Sequence, residues 1–159
     1  KVHNLYIPAG GDLPDKKLNP KFEHKINFLT DIKEKFFKGE KKKTIILGDF
    51  NIAPLPDDVW SHKALLNVVS HTKIETDLLS EIKKSGNWID TFREMKPTGK
   101  LYSWWSYRAR DWKASNRGRR LDHIWASQDL KSRLSKVQIF SEARDWERPS
   151  DHVPILAIF

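Results

Sequence analysis

The order of apolar and polar positions predicts a strand, a helix and a second strand in the first fifty residues. Residues 2–7 form a short, mostly apolar run that is typical of a strand. Over residues 22–37, apolar side chains recur at spacings of three, four and one, which predicts an amphipathic helix. The aliphatic run at residues 44–47 predicts a buried strand that ends at Gly48. Because a helix connects the two strands, we expect them to be parallel.

The ends of this first helix are indicated by residues with known terminal preferences. Asn19 followed by Pro20 is a typical N-cap and first-turn pair. Lys38 and Gly39 supply a basic last turn and a C-terminal stop. The sequence therefore predicts a helix from about Pro20 to Lys38.

Beyond Gly48 the predicted elements are shorter. Residues 52–58 are expected to be a loop because two prolines interrupt regular structure, and a second helix is predicted over residues 74–84, ending at Gly86. The other elements are a short strand or a helical turn at 88–95, an extended segment at 102–107, a mobile basic loop at 111–118, and strands at 121–126, 137–140 and 153–159. Strands mixed with flanking helices indicate one α/β domain over residues 1–159, with a mixed β-sheet.

Composition supports a domain with a substantial core and excludes two classes of site. Hydrophobic residues make up 38% of the 159 residues, including seven tryptophans. The chain begins at Lys1 with what looks like the interior of a fold, so we expect it to be part of a longer protein. No apolar run approaches the length of a membrane span, and we expect no membrane partner. The absence of cysteine excludes disulfides and thiolate metal sites and favours a cytoplasmic location.

The positive charge is concentrated in one segment. The formal net charge is +8, and residues 93–120 carry nine basic side chains against two acidic ones. Five aromatic residues lie in the same segment: Tyr102, Trp104, Trp105, Tyr107 and Trp112. Cations pair with phosphates and aromatic rings stack on bases, so this segment favours nucleic-acid binding. The alternative is a solvated basic face above a few core aromatics.

Polar clusters at the ends of predicted strands are candidates for phosphodiester hydrolysis. They are Tyr6 with Asn4, Asp49 with Asn51, Asp122, and Asp151 with His152. This reaction needs an activated water, neutralised phosphoryl oxygens and help for the leaving oxygen. Carboxylates, an amide, a tyrosine hydroxyl and an Asp–His pair can supply these functions, and aspartate oxygens suit Mg²⁺.

Each of these residues also has a structural interpretation. Asp49 and Asn51 are typical turn formers at the end of a strand. Asp151 could cap a bend, and His152 could be a packing histidine held by a hydrogen bond. Asp122 could pair with a neighbouring arginine, Arg119 or Arg120. Taken singly these interpretations are favoured, whereas their joint occurrence favours a site.

Six segments in order resemble exonuclease III and its relatives in the exonuclease–endonuclease–phosphatase superfamily. They are residues 4–8, 48–54, 90–93, 102–108, 116–122 and 150–152, which include the short motifs G-D-F-N and S-D-H. The aromatic segment running into N-R-G-R-R-L-D resembles the DNA-repair branch rather than the phosphatase or sphingomyelinase branches. The resemblance implies a DNase I-like, four-layer α/β/β/α sandwich, of which this chain is the C-terminal portion. Roughly the first hundred residues of such a domain would be missing, including a metal-binding glutamate.

The resemblance also implies roles for individual residues. Asp49 would activate the attacking water or handle the leaving group's proton, and Asn51 would orient the phosphate. Tyr6 would lie against the phosphate or metal, while His152 contacts the phosphate and Asp122 holds its ring. The implied metal is Mg²⁺, with Mn²⁺ as the alternative, and its implied ligands are Asp49, Asn51 and Asp151. The implied substrate-binding residues are Trp104, which packs on an abasic sugar, Arg108, Asn116 and Arg119.

The sequence therefore leads to three hypotheses about function. The first is a metal-dependent phosphodiester hydrolase of DNA repair, both a 3′–5′ exodeoxyribonuclease and an abasic-site endonuclease, acting on double-stranded and abasic-site DNA. The second is a non-catalytic nucleic-acid-binding fragment. The third is a superfamily phosphatase that acts on small phosphorylated substrates. In each case the missing N-terminal half, or a second chain, is expected to cover an apolar sheet face that this chain leaves without a partner.

Overall fold

A computed structural model describes residues 1–35 and 41–159. In that part of the chain the strands are β1 (Val2–Tyr6), β2 (Ile45–Asp49), β3 (Trp88–Asp90), β4 (Trp104–Trp105), β5 (Gly118–Arg119), β6 (Asp122–Ser127), β7 (Lys136–Ile139) and β8 (Ile155–Ile158). The α-helices are α1 (Pro20–Lys35), α2 (His62–Leu65), α3 (Lys73–Ser85), α4 (Thr91–Met95) and α5 (Trp112–Ser115). Within the described ranges, no helix is both long and apolar enough to cross a membrane.

A four-stranded mixed sheet forms the centre of the molecule, with strand order β1-β2-β6-β3. β1 and β2 are parallel, as the strand–helix–strand pattern predicts, and β6 runs antiparallel to both β2 and β3. The α/β class and the mixed sheet are therefore confirmed. β7 and β8 pair only with each other among the described strands, so they form a separate two-stranded antiparallel sheet.

Helices α1 and α3 cover one face of the central sheet. Phe22, Ile26 and Leu29 of α1 are buried at the spacing that predicted this helix, and they pack in one cluster with Ile46 and Trp125 of the sheet. Burying each such side chain contributes about 1.5–3 kcal/mol. The predicted continuation of the stripe and the predicted stop at Lys38 and Gly39 lie outside the described residues.

The ends of these helices follow the local capping rules. The side chain of Asn19 accepts a hydrogen bond from the backbone N–H of Lys21 (3.0 Å), as expected of an N-cap. At the start of α3, Thr72 and Glu75 form a capping box, and Gly86 follows its last residue. Residues 88–95 contain a strand followed by a helix, so both predicted alternatives are present. The Asp90 side chain accepts hydrogen bonds from two backbone N–H groups and so starts α4 directly after β3.

Two local predictions need correction, and one helix was not predicted. Residues 111–118, predicted as a loop, contain helix α5, because the Asp111 side chain caps Ala114 N (2.8 Å). The extended segment at 102–107 contains a strand of only two residues, β4, which pairs with β5. Helix α2 was not predicted; Ser61 caps it through Ala64 N.

A buried ionic network fixes the strands next to the polar edge of the sheet. Arg120 donates to Asp58 (Nε, 2.8 Å) and Asp90 (Nη2, 2.7 Å), and Arg93 also pairs with Asp58. Arg120 and Asp58 expose 1% and 0% of their surfaces. The possible pairing of Asp122 with Arg120 is therefore wrong, because the guanidinium of Arg120 is already committed to two other carboxylates.

Candidate active site

Strand register brings three predicted residues to one edge of the sheet. Tyr6 lies opposite Asp49 in the β1–β2 pair, and Asp49 lies opposite Asp122 in the β2–β6 pair. Residues directly opposite each other project from the same face of a sheet. Tyr6 is 69% exposed, whereas Asp49 and Asp122 are half-buried.

Gly48 is required for the close packing of this edge. A Cβ at Gly48 would lie 2.0 Å from the carbonyl oxygen of Leu5, and its φ of 132° is rarely adopted by other residues. The glycine of the G-D-F-N motif therefore allows β1 and β2 to approach each other beside Asp49.

Asn51 forms a left-handed turn that holds the Asp49 carboxylate. Its φ is 52°, a region that asparagine tolerates better than most residues. Its backbone N–H donates to Asp49 Oδ1 (2.8 Å), and its side-chain Nδ2 donates to Asp49 Oδ2 (2.9 Å) and to Ile7 O (2.9 Å). Asn51 is thus a turn former, as one interpretation held. Both amide hydrogens are used, so the side chain offers its oxygen to a ligand.

His152 is oriented by Asp122. Its Nδ1 lies 2.8 Å from Asp122 Oδ2, and its Nε2 lies 3.8 Å from Asp49 Oδ2. Ser103 Oγ donates to the same Asp122 oxygen (2.6 Å) and accepts from the backbone N–H groups of Leu121 and Asp122. Because the Asp122 carboxylate accepts a hydrogen bond from the ring, Nδ1 carries a proton. The other ring nitrogen, Nε2, faces Asp49.

The electrostatics of this group shift two pKa values upward. Burial raises the pKa of Asp49 to about 6, and the charge of Asp122 adds to the rise. Burial alone would lower the pKa of His152, but its hydrogen bond to Asp122 and the charges of Asp122 and Asp49 outweigh burial and raise it. Near neutral pH the arrangement therefore favours an ionised Asp49 beside a protonated His152.

Asp49, Asn51 and His152 line a cleft of about 670 Å³. Its walls combine basic and aromatic side chains. Arg119 lies over the ring of Trp104 (5.3 Å to the centroid), and Arg117 lies over Trp60 (4.8 Å). Arg119 also donates to Ser70 Oγ (2.8 Å). The possible pairing of Asp122 with Arg119 is therefore wrong as well. Arg108 borders the same cleft.

The segment that carries Asp151 is fixed against β4. The backbones of Trp104 and His152 pair in an isolated antiparallel β-bridge, and Trp104 Nε1 donates to Asp151 Oδ2 (2.9 Å). The backbone N–H of Trp105 donates to Asp151 O (2.9 Å). The aromatic segment thus positions the S-D-H segment as well as forming the cleft wall.

Comparison with known proteins agrees with this geometry. A model of the endonuclease/exonuclease/phosphatase family matches residues 25–152. The chain belongs to this family. It is 32% identical to exodeoxyribonuclease III of Haemophilus influenzae, over 99% of this chain and 61% of that protein. It is 33% identical to an exodeoxyribonuclease of Bacillus subtilis, over 73% of this chain and 44% of that protein.

Solved structures show the same fold. An AP endonuclease from Archaeoglobus fulgidus superposes with a TM-score of 0.88 at 27% identity, covering 99% of this chain and 60% of its own. A 3′–5′ exonuclease from Neisseria meningitidis superposes with a TM-score of 0.85 at 30% identity, with the same coverage. The predicted fold family is therefore confirmed, and the chain spans about three fifths of the length of these two structures.

Family members are expected to bind a metal ion, and the described residues provide one suitable group. Ligand atoms of Asp49, Asp122 and His152 lie within 4.8 Å of one another. Two adjacent carboxylates with the free oxygen of Asn51 suit a hard divalent cation, which would also relieve the repulsion between the two acids. Asp151, an expected ligand, is outside this group, and one of its oxygens is bonded to Trp104.

Asn116 is the one predicted substrate-binding residue that does not border the cleft. Its side chain accepts from Trp105 Nε1 (3.1 Å), and its φ of 41° ends helix α5. It borders a separate depression with Trp112 and Lys113. Asn116 therefore lies outside the cleft. The structure brings the other predicted site residues together: Tyr6, Asp49, Asn51, Asp122, His152, Trp104, Arg108, Arg119 and Asp151.

Sequence reasoning missed several residues that build the site. Ser103 holds Asp122, Trp60 and Arg117 form part of the cleft wall, and Lys25 lies beneath it. Ser103 and Arg117 fall inside segments that carried the resemblance, so their positions could have been noticed. Lys25 gave no such signal, because a lysine on a helix is normally a solvated residue.

Proposed function

We propose that this chain carries the phosphate-cleaving centre of a metal-dependent DNA phosphodiesterase. The observation that supports this most strongly is the placement of Asp49 beside the Asp122–His152 pair at one edge of a basic, aromatic cleft. In the complete protein the activities would be 3′–5′ exonuclease and abasic-site endonuclease. The relatives named above are two exodeoxyribonucleases, a 3′–5′ exonuclease and an AP endonuclease.

The proposed chemistry assigns each proton and each bond. Water attacks phosphorus and transfers its proton to Asp49, whose carboxylate is ionised at neutral pH and lies at the edge of the cleft. The protonated Nε2 of His152 donates to a phosphoryl oxygen, where negative charge increases in the transition state. The new P–O bond forms as the bond to the leaving oxygen breaks. The leaving oxygen takes a proton from solvent water, and Asp49 returns the proton that it accepted to solvent. The Tyr6 hydroxyl is exposed at the same edge and is free to donate to that phosphate.

A divalent cation, Mg²⁺ with Mn²⁺ as the alternative, supplies charge neutralisation at the phosphate when bound. Asp49 and Asp122 would hold it, with the side-chain oxygen of Asn51 as a further ligand. Asp151, which the family resemblance implies as a ligand, would act through the water shell of the ion rather than through direct contact, because its ligand atoms lie outside the cluster.

Double-stranded DNA, including DNA with abasic sites, is the proposed substrate. Arg108, Arg117 and Arg119 border the cleft that contains the site, and the chain as a whole is strongly basic. Phosphates on either side of the scissile bond would pair with these cations. The ring of Trp104 provides an apolar surface against which a sugar without a base can pack.

The complete catalytic unit is proposed to include the part of the relatives that this chain does not span. The chain covers 61% of exodeoxyribonuclease III from Haemophilus influenzae. Val2 of the central sheet is 66% exposed, and Leu156 and Ile158 of β8 are 37% and 43% exposed. The missing N-terminal portion of the domain would cover these side chains and supply the additional glutamate ligand that the family resemblance implies.

The proposal is tested with a duplex that contains one abasic site and a duplex with a recessed 3′ end. The chain is assayed alone and together with a separately expressed N-terminal portion, in Mg²⁺ and in EDTA. We expect Mg²⁺-dependent cleavage by the combination. The matched variants are Asp49→Asn in the cleft and Asp77→Asn on α3, where Asp77 pairs with exposed Lys73. Equal activity of these two variants would contradict the proposal.

The second hypothesis, nucleic-acid binding without turnover, is favoured by one observation. The chain spans only part of its relatives yet retains the basic cleft. It predicts that the chain alone binds duplex DNA in a salt-dependent manner and that no combination restores cleavage. The assay above therefore distinguishes the two functions.

A further inference from the structure

A buried lysine lies directly beneath the floor of the cleft. Lys25 is 0% exposed, and its ammonium group lies 2.6 Å from Glu75 Oε1, 2.8 Å from Asn51 O and 3.2 Å from Ala9 O. Three acceptors use all three hydrogens of the ammonium group. Burial lowers the pKa of Lys25, while Glu75 opposes this shift.

Glu75 extends the same unit to another loop. Besides Lys25, its carboxylate accepts from the backbone N–H groups of Ser70 (3.0 Å) and Thr72 (3.1 Å) and from the Thr72 hydroxyl (2.6 Å). Ser70 in turn accepts from Arg119 at the cleft wall (2.8 Å) and its carbonyl accepts from Ala53 N (2.8 Å). Every hydrogen-bonding position of this ion pair is therefore occupied by a specific partner.

Three chain segments that border the cleft converge on this pair. They are the loop after β1, at Ala9, the turn at Asn51, and the loop that contains Ser70. The segments are far apart in sequence, and no strand pairing joins the first to the third. The ion pair is the contact that they share.

The backbone leaves room for the lysine at Gly10. A Cβ at this position would lie 2.8 Å from Lys25 Cδ and 3.1 Å from Val69 Cγ1, and the φ of Gly10 is 89°. A side chain here would displace the lysine stem or the loop that contains Val69. The glycine is thus fitted to the passage of Lys25 beneath the cleft.

We propose that Lys25 and Glu75 are positioning residues for the active site. Glu75 holds Lys25, the contact of Lys25 with the Asn51 carbonyl fixes the left-handed turn, and this turn aims the amide and the Asp49 carboxylate. A buried ion pair contributes little to stability compared with apolar residues of the same size, since desolvation offsets the attraction. The ion pair instead fixes geometry, because the Lys25 ammonium group can reach all three acceptors only when the three segments are correctly placed relative to one another.

Hydrogen exchange of the chain measures this positioning without reference to activity. In Lys25→Met, we expect the Asn51 and Ala53 amides to exchange at least about tenfold faster relative to Ile124 in β6, which reports on the stability of the whole sheet. The matched control is Arg93→Met, which removes a buried cation bonded to Asp58, Lys96 and Gly99, away from the cleft. In Arg93→Met, the exchange rates of the Asn51, Ala53 and Ile124 amides should change by the same factor.

A uniform change at Asn51, Ala53 and Ile124 in Lys25→Met would overturn the proposal, because it would show a purely structural role. If Lys25→Met does not fold, Lys25→Arg keeps the charge but cannot place a donor at the same point, since a guanidinium is larger and planar. We expect the same local pattern in Lys25→Arg at smaller amplitude, and a uniform pattern would again overturn the proposal.

The consequence for catalysis rests on the proposed function. In the reconstituted enzyme, Lys25→Met should lower kcat by roughly ten- to a hundredfold through misplacement of Asp49, with KM for DNA changed less than about threefold. A fall in DNA affinity equal to the fall in kcat would contradict positioning. If wild-type protein shows no cleavage while the exchange pattern holds, the proposed function fails and the positioning role stands.

Discussion

Nδ1 of His152 is hydrogen bonded to Oδ2 of Asp122 at 2.8 Å, and this contact turns Nε2 of the same ring toward Asp49. The bond joins residues thirty positions apart in the chain. It gives the imidazole a fixed tautomer and a raised pKa, so the ring can donate a proton at the edge of the sheet.

Asp49→Asn should reduce kcat about a thousandfold, because an amide cannot accept the proton of the attacking water. The substitution keeps the shape of the side chain. DNA affinity should be unchanged or slightly higher, since one negative charge leaves the cleft. Single-turnover kinetics and fluorescence anisotropy measure the two quantities separately, and a parallel loss of affinity would contradict the assignment.

The rate should depend on pH with a bell-shaped profile. Activity requires Asp49 ionised, which sets an acid limb below about pH 6 because a bound cation lowers the pKa that burial raises. It also requires His152 protonated, which sets an alkaline limb above the ordinary histidine value of 6.5. In Asp122→Asn the alkaline limb should move to lower pH, because the partner that raises the pKa of His152 is gone. An unchanged alkaline limb in this variant would exclude His152 as the acid.

Arg119→Ala should weaken binding to duplex DNA and reduce the slope of log K against log salt by about one. Arg119 borders the cleft and lies over Trp104, so its loss removes a phosphate partner together with its hydrogen bond to Ser70. Arg133→Ala, which changes an exposed arginine that does not border the cleft, is the matched control. Identical salt slopes for the two variants would place the DNA elsewhere.

Arg120→Met should destabilise the fold by about 3–5 kcal/mol, because it leaves the buried carboxylates of Asp58 and Asp90 without their main cation. The change in urea midpoint measures the loss. Asp58→Asn and Arg120→Met combined should cost less than the sum of the two single changes, since both remove the same interaction. Additive values would show that the pair is not coupled.

Stability should respond to pH through His123. Burial, with the charge of Arg120, lowers the pKa of this fully buried ring to about 4, so the unfolded chain binds a proton between pH 6.5 and 4 that the folded chain does not. Stability from this group therefore falls as pH falls through that window, by up to about 1.4 kcal/mol per unit. Comparison of urea unfolding of wild type and His123→Phe at pH 7.5 and 5 isolates this contribution, and equal pH dependence in the two proteins would contradict it.

Much of the fold could be predicted because its signals are local. Periodicity gave α1 and the two parallel strands beside it, and Thr72 and Gly86 bracket α3 as capping rules require. The error at residues 111–118 has the same origin: the basic composition indicated a loop, while a single cap at Asp111 was enough to form a helical turn. The family resemblance supplied the residues of the site, and strand register then gave a physical reason for their proximity.

The sequence by itself determined helices α1 and α3, the strands of the central sheet, the α/β class and the polar residues at the strand ends, since each depends on neighbours within a few positions. Only the tertiary structure decided which partners those polar residues take. Asp122 binds His152 and Ser103 rather than the adjacent arginines, Asn116 turns away from the cleft, and Lys25 is drawn beneath it. Such choices depend on which carboxylates and carbonyls are brought together and desolvated when distant segments pack, and no local pattern records that competition.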